Sequence, residues 1–466
     1  MGIKRGTLWL MMGWGTVLFS GYLLNRFLAV QFDLKTFGEY GLIMTVLLWI
    51  EIFVITGIPT ALPKYVSSHS QQAYRILWAS IRLQGFIIAG IGFLAFSVLP
   101  FILIRLFQAP ELEGTFRLAF LDIPVYGFFY VLLSFYNGLR EFQKQAICHA
   151  FYGLSKLGFI VGLVFFNRNL TSALLGNILG SMSGGFLAFL LLKKKSIETP
   201  LYEKELFQFA LPAIWYFLLV QLVLSMDLWF VNALCGREAG SYFYAASTLA
   251  RIPYFLLAGL SAVLLPTLSH SISSGNIEET RRIIGQAFRW GIITLLPVWM
   301  IFFFYRREFL ALFFSSRFLP AEPFFVLLIT AMVCMAFLSL FFTVINADGR
   351  PKKSLFISAG MVVADVLFNL VLISQFHALG AALATLCTCI GGLIWAIGDV
   401  TQRFKMSLPF PTYWKIGIAV LVLFIVLCFF PSQGFGFILG SVLAFLAYGF
   451  TLVITQEISL RIESLF

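Results

Sequence analysis

Six ionisable side chains stand inside stretches otherwise built of Leu, Phe, Ile and Gly: the cations Arg26, Lys156 and Arg251 and the carboxylates Glu51, Asp227 and Asp365. In water they would be ordinary surface residues. In hydrocarbon each costs about 2.5–3.5 kcal/mol at a helix centre, so such residues face a wet or protein-lined interior and mark pathways for ions or charged substrates. Arg offers phosphate oxygens a planar fork of donors and Lys a point charge. A buried carboxylate can carry a proton, and one near carbonyls can hold Na⁺.

Helical spacing gives some of these charges company. Stepping back from Lys156 by 4, 7 and 11 meets Tyr152, His149 and Gln145, all within about 40° of it. Arg251 shares a face with Ser247, Tyr244 and Tyr254, and Asp365 shares one with Ser358 and Asn369. Gln221, Ser225 and Asn232 line up, with Asp227 off that stripe. Glu51 has no polar neighbour at helical spacing, and Arg26 has only Asn25 beside it in sequence. Three readings stay open: a cationic cavity for an anionic substrate, cations paired with carboxylates such as Asp227 or Asp365 to lock helices, and snorkelling to the interface for Arg26 and Arg251.

The elements that must position these residues are membrane helices. The chain has 466 residues, 60% hydrophobic and 11% charged, against about 25% charged in an ordinary globular domain. The alternation of a membrane barrel is absent. Spans of about 20 apolar residues fall at 7–30, 41–62, 81–107, 115–138, 146–166, 171–192, 206–234, 241–268, 284–305, 322–345, 354–375, 378–400, 413–431 and 435–457. The fold class is therefore an all-α polytopic membrane protein of about fourteen spans, with no soluble domain of useful size. The basic MGIKRG start runs into the first apolar stretch without a cleavage site, so it reads as a retained span.

With the N-terminus inside, 21 Lys and Arg fall in inside segments and 8 in outside ones. That bias puts both termini in the cytoplasm. The net charge of +11 is scattered singly or in threes between spans, which excludes a nucleic-acid partner. The six cysteines lie in or beside apolar segments without the spacing of a disulfide framework, and Cys387 and Cys389 lack partner ligands, so no metal site is expected. No Ser/His/Asp set, phosphate loop or large outer loop offers catalysis, so no catalytic residue is expected either.

The chain also matches itself weakly. At an offset of 202, Gly38 meets Gly240 and Tyr40 meets Tyr242; at 209, Asn137 meets Asn346, Ala173 meets Ala382 and Lys156 meets Asp365. Two six-span lobes of like orientation follow, 1–195 and 196–405, with 406–466 as two further spans. Such pairs work by alternating access.

Three blocks carry a family likeness: residues 28–68 (LAVQFDLKTFGEYGL…KYVSS), residues 209–269 (FALPAIWYF…LLPTLS) and residues 345–385 with the NADGRPK turn and LGAALAT. They resemble bacterial polysaccharide transporters, the oligosaccharide-lipid flippases of the Wzx type, within the multidrug/oligosaccharidyl-lipid/polysaccharide exporter superfamily. The resemblance implies a V-shaped pair of lobes around a central cavity in the bacterial inner membrane. It implies a substrate that is an undecaprenyl-pyrophosphate-linked saccharide, turned from inner to outer leaflet, with membrane lipids and polysaccharide polymerase or export proteins as further partners. By analogy of position, Arg26, Lys156 and Arg251 would hold the anionic head group, with Tyr152, Tyr244 and Asn369 beside it. Asp227, Asp365 and Glu51 are candidates for H⁺ or Na⁺ coupling, with no other cofactor. A monomer suffices, since one chain holds both lobes. The alternatives are a lipid II flippase, for which the last two spans leave room, and a cation-coupled multidrug exporter, whose cavity should be anionic.

Overall fold

In a computed structural model, which describes residues 3–192, 202–405, 410–430 and 436–457, the protein is built of α-helices with short connections and no strand among the described residues. The chain forms two compact units, Met1–Tyr244 and Ala245–Phe466.

The first unit opens with α1 (Ile3–Gln31), α2 (Leu34–Ile55), α3 (Ile58–Ser68), α4 (Ala73–Ser97) and α5 (Leu99–Leu106). It continues with α6 (Glu113–Phe120), α7 (Asp122–Gly138), α8 (Phe142–Phe166), α9 (Leu170–Leu190), α10 (Glu203–Cys235) and the start of α11 (Arg237–Ala250). The second unit holds the end of α11, then α12 (Ile252–Ser273), α13 (Ile277–Phe304), α14 (Arg306–Phe314) and α15 (Glu322–Ala347). The hairpin of α16 (Pro351–Phe376) and α17 (Ala378–Phe404) follows, then α18 (Phe410–Phe429) and α19 (Gly436–Ile454). Every apolar stretch of the sequence falls on one of these helices or on a broken pair. Eleven of the described segments are long and apolar enough to cross a bilayer. Large apolar side chains such as Phe86, Phe93, Phe165 and Phe186 are exposed, as on a surface that meets lipid.

Four expected spans are broken helices. The breaks fall between α2 and α3, α4 and α5, α6 and α7, and α11 and α12, and Pro59, Pro100, Pro124 and Pro253 each stand in the first turn of the second piece. Proline is at home there, because its missing N–H is one the first turn would not use. Elsewhere polar caps start helices: the Asp33 carboxylate accepts from the Thr36 amide (3.0 Å), the Asn169 side chain from Ser172 (2.8 Å) and the Asn276 side chain from Glu279 (3.0 Å). Hydrogen bonds from Thr36 also hold the Asp33 carboxyl below its ordinary value.

Helix starts recur at the offsets of the internal match. Shifting α8 by 209 residues lands on the first residue of α16, and α9 lands one residue inside α17. The two hairpins thus begin at matching places in the sequence offset and lie in different units.

Small residues set the closest approaches, as is usual where lipid removes the hydrophobic drive between helices. On α9, Gly176, Gly180 and Gly184 recur every four residues along one stripe and meet Ile160, Lys156 and Tyr152 of α8. A Cβ built on Gly180 would stand 2.6 Å from the Lys156 Cβ, and one on Gly184 would stand 2.9 Å from the Tyr152 Cβ. The other side of α8 meets α1, where Gly153 lies against Val17 and Ser20, and Gly13 lies against Ala146. Helix α8 is therefore gripped from two sides, and the rotation of Lys156 and Tyr152 about its axis is set by glycine contacts. In the second unit, α18 and α19 pack on α13. The Tyr448 hydroxyl donates to the Ile293 carbonyl (3.1 Å), Tyr305 donates to Leu427 (3.3 Å), and Arg289 pairs with Glu457 (2.7 Å). The last two helices share the core of that unit, with Ile301, Ile416, Leu423 and Leu427 buried together.

Gly180→Val should force α8 and α9 apart, costing about 1–3 kcal/mol of stability. Thermal unfolding in detergent should begin at a lower temperature than for the wild type, whereas Gly158→Val, at a position with open space around its Cα, should leave it unchanged.

Candidate functional site

The most concentrated chemistry among the described residues lies inside the first unit, where α2, α7, α8 and α9 converge. The Glu51 carboxyl of α2 and the Asp122 carboxyl of α7 are both buried and face one another. Asn177 of α9 donates its Nδ2 to Asp122 Oδ2 at 2.6 Å, and Ser181, one turn further along, faces the same carboxyl. Glu51 Oε1 and Asp122 Oδ1 have no hydrogen-bond partner among the described residues. The cation facing this pair is Lys156 of α8. Its Nζ lies 3.5 Å from the Tyr152 hydroxyl and 5.7 Å from the centre of that ring. Unlike the carboxylates, Lys156 is partly exposed.

A wall of rings surrounds the group. Tyr126 stands 5.5 Å from Tyr152 and 5.1 Å from Tyr130, ring centre to ring centre. His149 lies 4.8 Å from Trp14 and 6.1 Å from Tyr130. Gln84 of α4 donates to the Val54 carbonyl (2.8 Å), holding α2 in place just past Glu51.

The face read from helical spacing, with Lys156, Tyr152, His149 and Gln145, is therefore the face α8 turns inward, and Tyr152, His149 and Gln145 are all buried. Glu51 turns out to have a close polar neighbour, and it comes from another helix. Asp122, Asn177 and Ser181 were absent from the sequence-based set. Asp122 opens its helix two residues before a proline, which disguises it as a cap-like residue at a span's edge. The Gly-x-x-x-Gly-x-x-x-Gly run of 176–184 was the available signal, since it marks the stripe on which Asn177 and Ser181 ride beside α8.

The remaining sequence-predicted residues lie elsewhere. Arg26 is exposed on α1, and its neighbour Asn25 accepts a hydrogen bond from the Tyr244 hydroxyl (3.1 Å). Tyr244 is buried against Gly41, with Phe37 5.4 Å away, so its ring is a packing element joining α11 to α2. Asp227 is buried on α10, two residues before Trp229, whose indole donates to Thr45 (3.2 Å). Gln221 donates to Ser225 at 2.6 Å, as their shared stripe predicts.

In the second unit, Asp365 and Asn369 are fully buried on α16. Asn369 donates to the Asp365 carbonyl (2.9 Å) and carboxylate (3.2 Å), and Thr388 of α17 donates to the other carboxylate oxygen (3.1 Å). Arg251 stands at the break between α11 and α12, partly exposed, rather than within a continuous helix. The interruption divides the face it was expected to share with Ser247 and Tyr254.

A second ionic feature of the first unit escaped the sequence reading. Arg237, at the start of α11, bonds Glu39 of α2 and also Glu111 (2.6 Å), which precedes α6. It draws three segments together, and Gly38 makes room for it, since a Cβ there would collide with the Arg237 carbonyl.

Comparison with known proteins gives this architecture its relatives. The sequence profile of the polysaccharide biosynthesis protein family matches residues 23–323, more than half of the chain. The chain belongs to that family. The uncharacterized membrane protein MJ1068 of Methanocaldococcus jannaschii is 26% identical over 144 residues, 30% of this chain and 28% of that protein's own length. Among solved structures, the fold is similar to the lipid II flippase MurJ in an inward closed conformation. That match has a TM-score of 0.77 at 16% identity and covers 96% of this chain and 98% of that one. It is also similar to an inward-facing multidrug resistance MATE transporter of the MOP superfamily, with a TM-score of 0.71 at 15% identity over 84% of this chain and 96% of that one. The protein thus has the helical fold of MOP-superfamily membrane transporters.

Arg237→Met would leave Glu39 buried without its cation, at a cost of about 3–5 kcal/mol. The double variant Arg237→Met/Glu39→Gln should recover a large part of that loss in detergent melting curves, whereas additive losses would rule out the pairing.

Proposed function

We propose that this protein is a flippase for a polyprenyl-pyrophosphate-linked saccharide, turning it from the inner to the outer leaflet of a bacterial cytoplasmic membrane for surface polysaccharide synthesis. The observation that carries the reading is Lys156: a lysine on a membrane-spanning helix, partly exposed as a residue, its ammonium held by Tyr152 and backed by buried carboxyls. A cation placed so is matched to an anionic head group, and membership of the polysaccharide biosynthesis family supports a lipid-linked saccharide as its owner. The excess of Lys and Arg in alternate loops supports termini on the cytoplasmic side. Tyr126, Tyr130 and Tyr152 offer ring faces on which a sugar can stack beside the charge. Arg26 and Arg251 are proposed as further contacts for the head group. Asp227 and the Asp365–Asn369–Thr388 cluster are proposed as coupling-ion candidates. Movement of the carrier against an ion gradient needs no catalytic residue, and one chain serves as the working unit, alongside the polymerase and export proteins of the pathway.

A second reading has its own observation. The likeness to MurJ takes in 96% of this chain, where the likeness to the MATE transporter takes in 84%. Lipid II is therefore the substrate to test against the saccharide precursor.

Lys156→Cys, in a background lacking the six native cysteines, should be labelled by a membrane-impermeant cationic thiol reagent, and a polyprenyl-pyrophosphate-linked saccharide should block the labelling. Absence of labelling from either side would make Lys156 a buried structural charge and remove the support for the reading. Lys156→Gln should weaken binding of the same lipid by about 10–100-fold, the worth of one hydrogen bond to a charged group. Protection by lipid II alone would favour the second reading.

A further inference from the structure

We infer that the Glu51–Asp122 pair is a proton site, and that its protonation is what releases Lys156 to bind the substrate's anionic head group. The inference rests on the anion-binding role proposed for Lys156 and names the ion and the linkage behind it.

The geometry is the argument. Two carboxyls and one ammonium make a group of net charge −1 when all three are ionised. Such a group repels a pyrophosphate, however well the lysine is placed. One proton on the carboxyl pair makes the group neutral and removes that repulsion, leaving the ammonium shared between one carboxylate and the incoming anion. The pair is built to take that proton. Both carboxyls are buried on helices held by their neighbours, and they face each other. Carboxyls in contact hold one shared proton more cheaply than two adjacent charges. Each also keeps an oxygen with no hydrogen-bond partner among the described residues, Glu51 Oε1 and Asp122 Oδ1. Those oxygens are where an added proton and its hydrogen bond would sit.

Among the described residues, the cation that answers to the pair is Lys156. From α7 the pair is faced by Tyr126 and Tyr130, from α8 by Tyr152 and Lys156, and from α9 by the neutral Asn177 and Ser181. His149 of α8 is turned instead to the rings of Trp14, Phe129 and Tyr130. Asn177 donates to Asp122, which fixes that member of the pair in place. The lysine is partly exposed while the carboxyls are not. Binding is then cooperative in both directions: a proton on the pair favours the anion, and the anion, by occupying the ammonium, favours the proton.

The test uses the full chain in detergent, with farnesyl pyrophosphate as the probe. It measures binding by calorimetry at pH 8, where the probe is already ionised, in two buffers of different ionisation enthalpy. Wild type should take up close to one proton for each probe bound, and its affinity should fall by up to tenfold for each pH unit as the pH rises. Glu51→Gln and Asp122→Asn, each examined separately so that a folding failure in one leaves the other, should bind without proton uptake and with little dependence on pH. Wild-type binding with no proton uptake would overturn the inference while leaving Lys156 as an anion site. So would unchanged uptake in both variants. Absence of binding by wild type would overturn the anion-site reading itself, and the linkage with it.

Discussion

The cost of placing charge in a membrane is the constraint on which the first unit depends. Lys156, Glu51 and Asp122 would each be expensive alone in hydrocarbon, and burial of a charge is tolerated only where partners surround it. The structure meets that cost by bringing the three together from three helices and adding Asn177 from a fourth. Everything nearby serves the meeting. Glycines on α9 allow α8 to approach until the Lys156 backbone touches it, α1 closes from the other side, and Gln84 secures α2. Loosening any one of these contacts would separate opposite charges in a low-dielectric setting, where separation is costly.

The same chain solves the same problem differently in the second unit. The hairpin of α16 and α17 starts 209 residues after that of α8 and α9, within one residue, and at the same offset Asp365 meets Lys156 in the sequence. Hydrogen bonds from Asn369 and Thr388 surround that carboxylate. The first unit thus carries a cation facing two acids, and the second an acid held by neutral donors.

The broken helices add a mechanical element. Proline stands at the restart of α3, α5, α7 and α12, and each restart lies inside a stretch the sequence reads as one apolar span. Broken spans leave backbone groups free to face protein or water, which is tolerable in a bilayer only where the surroundings satisfy them. Two of the breaks lie next to the chemistry: α2 ends four residues after Glu51, and α7 begins at Asp122 itself.

The membrane class, the places of the spans, the family likeness and the inward face of α8 were all legible in the sequence, because hydropathy and helical period are local properties. The stripe Lys156, Tyr152, His149 and Gln145 could be drawn on a helical wheel, and its last three members are buried in the structure while Lys156 is partly so. The partners of that stripe were not legible. Glu51 had no polar neighbour along its own helix, and Asp122 drew no notice at the start of another, since the two are 71 residues apart in the chain. Their meeting comes from how four helices pack, and packing distance is set by glycine contacts spread over α1, α8 and α9. For the same reason Tyr244, which spacing offered as a binding residue, is a packing ring against Gly41. The sequence by itself determined which residues would be costly in a membrane. Only the tertiary structure decided which of them pay that cost together, because the partners of a buried charge are chosen by three-dimensional packing and leave no periodic trace in one dimension.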